Sequence, residues 1–228
     1  MKKLALLYDI HGNLAALEAV VAEAEAAGVE GYLLGGDYAT FGPWPRETVE
    51  RLEELPTEAW LRGNVDRWLV EPPEVPEEAR SLVEAALTAA RAELTGDQVT
   101  RLHGLSERIE SADVLYCHGS PRSDIESFAP RPEEGEARLL AGVQQRTVVF
   151  GHSHIQFARR GPHDTHLVNP GSVGQPLDGD TRAAWAIAEG ERIAFQRSEY
   201  DVERAAAKMR THGEWAEAIA RRIEHARD

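Results

Sequence analysis

The sequence predicts an α/β fold built on a largely parallel, buried sheet. Short apolar runs recur along the 228 residues, each ending in a polar cluster, and the early runs alternate with stretches of helical periodicity. A late pair of runs around a Glu-Gly-Glu turn adds antiparallel strands, so two sheets or one mixed sheet are expected.

In chain order, Leu4 to Tyr8 is the first run and stops at Asp9. Leu14, Leu17, Val20, Val21 and Ala24 follow at helical spacing and form one apolar stripe. Tyr32 to Leu34 is the second run and ends in Gly35-Gly36-Asp37. Pro45, with Val49, Leu52 and Leu55 behind it, opens a second helix where its missing N–H would have no partner anyway. Ala59 to Leu61 precedes Arg62-Gly63-Asn64. The proline-rich Glu71-Pro72-Pro73-Glu74-Val75-Pro76 then leads into Leu82, Val83, Ala86, Leu87, Ala90 and Leu94, read as a helical insertion over 71–110 that lies across the sheet edges. Val114 to Cys117, Thr147 to Phe150 and His166 to Val168 end in His118, in Gly151-His152-Ser153-His154 and in Asn169-Pro170-Gly171-Ser172. Ala183 to Ala188 and Ile193 to Tyr200 flank the hairpin turn Glu189-Gly190-Glu191. A mixed-charge helical region from Val202 to His225, broken at Thr211-His212-Gly213, is expected as a C-terminal extension over 201–228, packed outside the core. The whole of 1–228 reads as one domain, and its 42% hydrophobic content suffices for a continuous core.

Lysine and arginine total 25 against 39 aspartates and glutamates, a formal charge of −14. That balance opposes duplex nucleic acid as a partner, because such binding depends on clustered cations that release counterions. A small phosphorylated substrate needs a local reversal of the field, which bound divalent cations supply. From Met1-Lys2-Lys3 the chain reaches Asp9 too soon for a signal-peptide core, and no apolar run reaches membrane-spanning length. With the single cysteine, Cys117, inside an apolar run, the expectation is a cytoplasmic protein with neither disulfide nor membrane partner.

Asp9, His11, Asp37, Asn64, His118, His152 and His154 all fall just past the ends of expected strands. Ligands of open α/β sheets bind at those carboxyl ends, so residues far apart in sequence converge there. Carboxylate, amide and imidazole donors without a thiolate suit Mn, Fe, Zn or Ni. Strand alternation should turn Cys117 to the face opposite His118. Seven donors exceed one tetrahedral ion and suit two divalent metal ions sharing a bridge. Paired ions roughly 3.5–4 Å apart clamp the attacking and leaving oxygens of a displacement at phosphorus and supply a nucleophile from water near neutral pH.

The series Asp9-Ile10-His11, Gly36-Asp37, Gly63-Asn64, Cys117-His118-Gly119 and Gly151-His152-Ser153-His154 resembles that of the calcineurin-like metallophosphoesterases, from Leu4 to about Ala188. The stretches Asp37 to Pro43 and Val168 to Pro176 resemble its small, single-domain prokaryotic phosphodiesterase and phosphatase branch. The resemblance implies two mixed β-sheets sandwiched between helices, a four-layer αββα arrangement. It further implies that Asp9, His11 and His154 hold one ion and Asn64, His118 and His152 the other, with Asp37 bridging; Asp37, Asn64 and His118 are the expected catalytic members. The implied activity is hydrolysis of small phosphodiesters, phosphomonoesters or nucleotides by a metal-bridging hydroxide, with manganese among the expected metals. A protein serine/threonine phosphatase would need an open groove, which the Tyr38 to Trp44 loop and the helical insertion narrow. A non-catalytic scaffold would have no physical need for two complete metal sites. Many members of the family carry His after the Gly-Asn pair; here Val65 stands there, and Asp66 keeps its place without the imidazole it usually partners.

Two residues are candidates for substrate binding: Asn13, whose amide begins the first helix, and Arg122 after His118-Gly119-Ser120-Pro121. The loop Gly161 to His166 reads as an exposed hairpin, so His163 and His166 are not taken as ligands. Trp44, Trp60, Trp68 and Phe41 are weighed as a base-stacking pocket, with Trp60 assigned to the core.

Overall fold

Period-two alternation sorts the apolar strand residues onto two faces, and that sorting decides how the layers stack. The structure, a computed structural model, describes residues 2–190 and 192–227; Glu191 of the expected hairpin turn lies outside them, as do Met1 and Asp228. In chain order the strands are β1 (Lys3–Leu7), β2 (Gly31–Leu34), β3 (Thr57–Trp60), β4 (Arg108–Glu110), β5 (Val114–Cys117), β6 (Thr147–Val149), β7 (Phe157–Arg160), β8 (His166–Asn169), β9 (Ala183–Glu189) and β10 (Arg192–Ser198). The α-helices are α1 (Leu14–Ala26), α2 (Pro45–Glu53), α3 (Asn64–Trp68), α4 (Glu77–Glu93), α5 (Gly96–His103), α6 (Val202–Arg210) and α7 (Ala216–His225).

One sheet has the order β10-β9-β1-β2-β3 and the other β4-β5-β6-β8-β7. In the first, β1, β2 and β3 are parallel, with β9 and β10 antiparallel beside β1. In the second, β5, β6 and β8 are parallel, with antiparallel edge strands β4 and β7. Leu6, Tyr8, Leu33, Val149, Val168 and Ala186 fill the space between the sheets. Their alternates Ala5, Leu7, Tyr32 and Leu34 face outward to Leu17, Val20 and Val21 of α1 and Val49 and Leu52 of α2. On the far side Leu115, Cys117, Val148 and Leu167 pack on Phe128, Leu139 and Leu140, the last two from the 3-10 helix Glu136–Leu140. The molecule is thus an α/β sandwich of two mixed sheets flanked by helices, as the resemblance implied.

Register aligns the functional edge. Leu7 pairs with Leu34 and Leu34 with Trp60, so the first three strands end level, and Tyr116–Val149 and Val149–Val168 do the same in the second sheet. The loops that follow therefore leave on one rim, at the carboxyl ends of the parallel strands.

The insertion differs from the expectation. Val83, Leu87, Ala90 and Leu94, with Leu102 of α5, join the main core beside the first sheet instead of only crossing its edges. The stretch 71–110 also contains a strand, β4, whose sequence Arg-Ile-Glu offers too little alternation to be read. The edge strand β7, Phe-Ala-Arg-Arg, hides for the same reason; exposed charges on an edge also discourage pairing with another chain. At five residues α3 is too short to show a period, and α5 is legible only through the capping box formed by Thr95 and Gln98. At the C-terminus α6 and α7 break where expected, but they bury an apolar seam of their own, Ala205, Met209, Ile219 and Ile223, against Phe41 and Trp44. No described helix is long and apolar enough to cross a membrane.

Candidate metal centre

Each strand end delivers its polar residue through a strained turn. Asp9, His11, Asp37, His152 and His154 all have left-handed backbone, with φ between 47° and 65°. For residues with a side chain such conformations cost about 1–3 kcal/mol each and persist only where the surroundings enforce them. Gly36, at φ 100°, and Gly63 let two of these loops touch. A Cβ on Gly36 would lie 2.6 Å from the Gly63 amide nitrogen, and one on Gly63 would lie 2.0 Å from Oδ1 of Asp37.

Two groups of donors result. In Asp9, His11 and His154, and separately in Asp37, His118 and His152, one donor atom per residue lies within 4.8 Å of the others. Asn64 joins the second group, its Oδ1 3.0 Å from both Nε2 of His118 and Nδ1 of His152. Oδ2 of Asp37 sits between the groups, 3.3 Å from Nε2 of His118 and 3.8 Å from Nε2 of His11. The structure therefore brings together all seven residues singled out in the sequence. Five are buried, while His152 and His154 are half-buried and form the open side of the centre.

Three imidazoles are aimed by backbone carbonyls. Nδ1 of His11 faces Thr40 O at 2.8 Å, Nδ1 of His118 faces Gly35 O at 2.9 Å, and Nδ1 of His154 faces Gln175 O at 2.7 Å. Such bonds place the proton on Nδ1 and present the Nε2 lone pair to the centre. The Nε2 atoms of His11 and His154 are then only 3.0 Å apart, a separation satisfied by a shared proton or by a cation bound between them. Asp37 and Asp9 stand beside them at 3.8 and 3.5 Å, so this buried pocket favours positive charge. The donor set therefore fits divalent cations in both positions.

Before any ion binds, the imidazoles and carboxylates divide the charge among themselves. Burial alone would raise the Asp9 and Asp37 carboxyls, but His154 beside Asp9 and His118 beside Asp37 bring both below the usual range. Burial lowers His11 and His152 to about 4, with His154 adding to the first and His118 to the second. Against burial, Asp37 raises His118 to about 10, and Asp9 raises His154.

Asp66 has a role that its sequence position did not disclose. Only 1% exposed, it accepts the backbone amides of Asp37 at 2.8 Å and Gly63 at 2.9 Å on Oδ2, and that of Tyr38 at 3.1 Å on Oδ1. It ties the loop carrying Asp37 to the turn carrying Asn64. Burial and the neighbouring Asp37 push it up to about 7, against the three amides that favour its charged form. Val65 is 3% exposed within the main core, and its amide donates to Oδ1 of Asp37 at 3.1 Å.

Asn13 requires a correction. It is fully buried as the N-cap of α1: Oδ1 accepts the Ala16 amide at 3.2 Å, and Nδ2 donates to Gly174 O at 2.9 Å and to the Tyr200 hydroxyl at 3.3 Å. Its amide holds loops together and is not offered to a phosphate. Arg122 is exposed beside the centre. The four aromatic residues form no stacking pocket. Trp60 packs on Tyr38 at 5.0 Å under the Arg101 guanidinium, Trp68 is buried in the main core, and Phe41 and Trp44 meet the C-terminal helices. Cys117 is buried on the far face of the second sheet, where burial pushes its thiol up.

Because the donors sit on rim loops while the apolar clusters lie beneath them, metal removal is expected to leave the fold in place. Far-UV circular dichroism should survive chelation, and re-addition of metal at about 100 times Kd should return about 2.7 kcal/mol of stability per site. Global unfolding on chelation would show that the centre holds the fold together, as in small zinc domains.

Comparison with known proteins places this geometry. Residues 2–192 match the family model described as the calcineurin-like phosphoesterase superfamily domain. The chain is 27% identical to the uncharacterized protein MJ0912 of Methanocaldococcus jannaschii, over 90% of this chain and 91% of that protein. Among solved structures, a metallophosphoesterase from Sphaerobacter thermophilus is similar at a TM-score of 0.82 and 27% identity, with 99% of each chain covered. Protein PH1004 from Pyrococcus horikoshii OT3 shares the fold at a TM-score of 0.83 and 20% identity, again over 99% of each chain.

Proposed function

The chain belongs to the calcineurin-like phosphoesterase superfamily and is a phosphoester hydrolase, and from that premise we propose that it uses two divalent ions, shared through Asp37, to cleave small phosphorylated substrates. The observation that carries the reading is the place of Asp37 Oδ2, within 3.8 Å of a ligand nitrogen in each donor group. Asp9, His11 and His154 hold one ion, and Asn64, His118 and His152 the other; Mn, Fe, Zn and Ni all suit the donor set. Divalent ions bound by these residues would supply Lewis-acid polarisation of the phosphoryl oxygens and a water acidified toward neutral pH.

The chain's own residues do the rest. The carbonyls of Gly35, Thr40 and Gln175 fix the imidazole rings, and the strained turns hold the donors before any ion arrives. Burial of five of the seven donors leaves access on the His152 and His154 side, which favours small phosphodiesters, phosphomonoesters and nucleotides over an extended polymer. The acidic balance of the chain points away from duplex nucleic acid as well.

Val65 sets a chemical limit. Its side chain lies in the core and has no proton to give, so a departing alkoxide receives no imidazole acid from this position. General acid assistance is worth roughly 10²–10⁴-fold, and its absence falls hardest on poor leaving groups. Aryl phosphates, aryl phosphodiesters and phosphoanhydrides should therefore be cut much faster than alkyl monoesters. A screen of such substrates across the four metals, with kcat/KM plotted against leaving-group pKa, is expected to give a steep negative slope. A flat plot would show that another group protonates the leaving oxygen, and inactivity with every metal and ester would overturn the functional reading.

A further inference from the structure

A cleft of about 570 Å³ adjoins the centre: His118 lies in its lining, with Ser120, Arg122, Arg108, Arg67 and Asp124 around it. Its lining carries three guanidinium groups, Arg67, Arg108 and Arg122, against two carboxylates, Glu107 and Asp124. Both carboxylates are already committed. Asp124 takes Arg67 on both oxygens, at 2.7 and 3.1 Å, and Glu107 takes Arg62 at 2.5 Å. Arg67 is further held by Glu71 and Glu74, so it serves as a wall. Among the described residues, Arg108 has the exposed Glu110 as its ion-pair partner, at 3.1 Å. Among the described residues, Arg122 has no hydrogen-bond or ion-pair partner at all. In a chain of net charge −14, an uncompensated guanidinium beside a metal-ligand cluster is a local inversion of the field.

We propose that this cleft is a subsite for a second anionic group of the substrate, a phosphate or carboxylate lying beyond the scissile phosphoryl group and gripped by Arg122 with help from Arg108. The proposal rests on the phosphoesterase function proposed for the metal centre and narrows it: preferred substrates are doubly anionic, such as a phosphoanhydride or a phosphate ester that also bears a distal acid. His118 is common to the centre and to the cleft's lining, so an anion seated in the cleft adjoins the centre through that residue. Guanidinium suits this task because its planar fork takes phosphate or carboxylate in two parallel bonds. The turn that carries Arg122 is stiff, with the Ser120 amide donating to Ser123 O at 2.7 Å and the Ser123 hydroxyl accepting the amides of Ile125 and Glu126.

The test uses the metal-loaded full chain and three non-hydrolysable probes: methylphosphonate, phosphonoacetate and methylenebisphosphonate. Calorimetry should show that Arg122→Ala lowers the affinity ratio of methylenebisphosphonate to methylphosphonate about tenfold, the effect of one lost charge-assisted contact. Arg122→Lys should recover part of it, and Arg108→Ala should lose less. The parallel kinetic readout is the ratio of kcat/KM for a nucleoside diphosphate to that for an aryl phosphate, which should fall by a similar factor. If phosphonoacetate follows the bisphosphonate, the subsite takes either anion; if it follows methylphosphonate, it takes phosphate. An unchanged probe ratio in both arginine variants would overturn the subsite. The two failures are separable, because a parent protein that binds the probes but hydrolyses nothing would refute the phosphoesterase function, whereas the subsite stands or falls on the probe ratio.

Discussion

Asp37→Ala should reduce the bound divalent ions from two per chain to at most one and lower phosphoester hydrolysis by roughly 10³-fold or more, the upper end of what one transition-state donor supplies. Asp37 belongs to the group of His118 and His152 and is the proposed bridge to the other, its Oδ2 3.3 Å from His118 and 3.8 Å from His11. Without it, Nε2 of His118 has Asp9 Oδ1 as its nearest remaining carboxylate oxygen, at 3.9 Å. Two cations in adjacent positions would then repel with no shared anion between them. The fold should persist, since Asp66 bonds the backbone amide of residue 37 and not its side chain. Asp37→Asn keeps one oxygen in place and should fall between the parent and the alanine variant. Elemental analysis after loading and dialysis, with circular dichroism as control, checks the result. Two ions still bound to the alanine variant would remove the shared bridge from the proposed function.

The sequence disclosed the donors because each stands at or shortly after the end of an apolar run, where polarity is conspicuous. Asp9 after Leu4 to Tyr8 and His118 after Val114 to Cys117 are the clearest cases, and the parallel register then carries both to one rim. The flanking strands β4 and β7 are not legible because they are only three and four residues long: their burial alternates, but over too few residues, and with too many charges, for the period to stand out. The carbonyls of Gly35, Thr40 and Gln175 that aim the imidazoles were invisible for a deeper reason: every residue has a carbonyl, and only the fold decides which one a ring meets. Asn13 shows the opposite failure. A polar residue at a helix start beside the site invites a ligand role, yet its three partners, at the Ala16 amide, Gly174 O and the Tyr200 hydroxyl, lie up to 187 positions away and absorb it entirely.

Asp66→Ala should destabilise the protein by about 3–5 kcal/mol, because it strands three buried amide donors that few other groups can reach. The donors belong to Asp37, Tyr38 and Gly63, at 2.8, 3.1 and 2.9 Å. Two of them adjoin the proposed ligands Asp37 and Asn64, so the damage should extend from stability to the ions. Asp66→Asn makes the sharper test. It keeps the shape, and one amide oxygen can take the pair of donors that Oδ2 holds, but its NH₂ then faces the Tyr38 amide, donor against donor. A smaller loss is expected, about 1–3 kcal/mol. Manganese affinity should fall roughly 10–100-fold, as when a group that orients a ligand is removed. If Asp66 acted only as structural filler, chemical denaturation would shift while metal affinity and the exchange-coupled Mn²⁺ resonance spectrum of a loaded pair stayed as in the parent. If it orients the bridge, the spectrum changes in the asparagine variant even at temperatures where the chain is fully folded. A variant with parental stability and a parental spectrum would mean that the three amides find other partners and that Asp66 does not position the bridge.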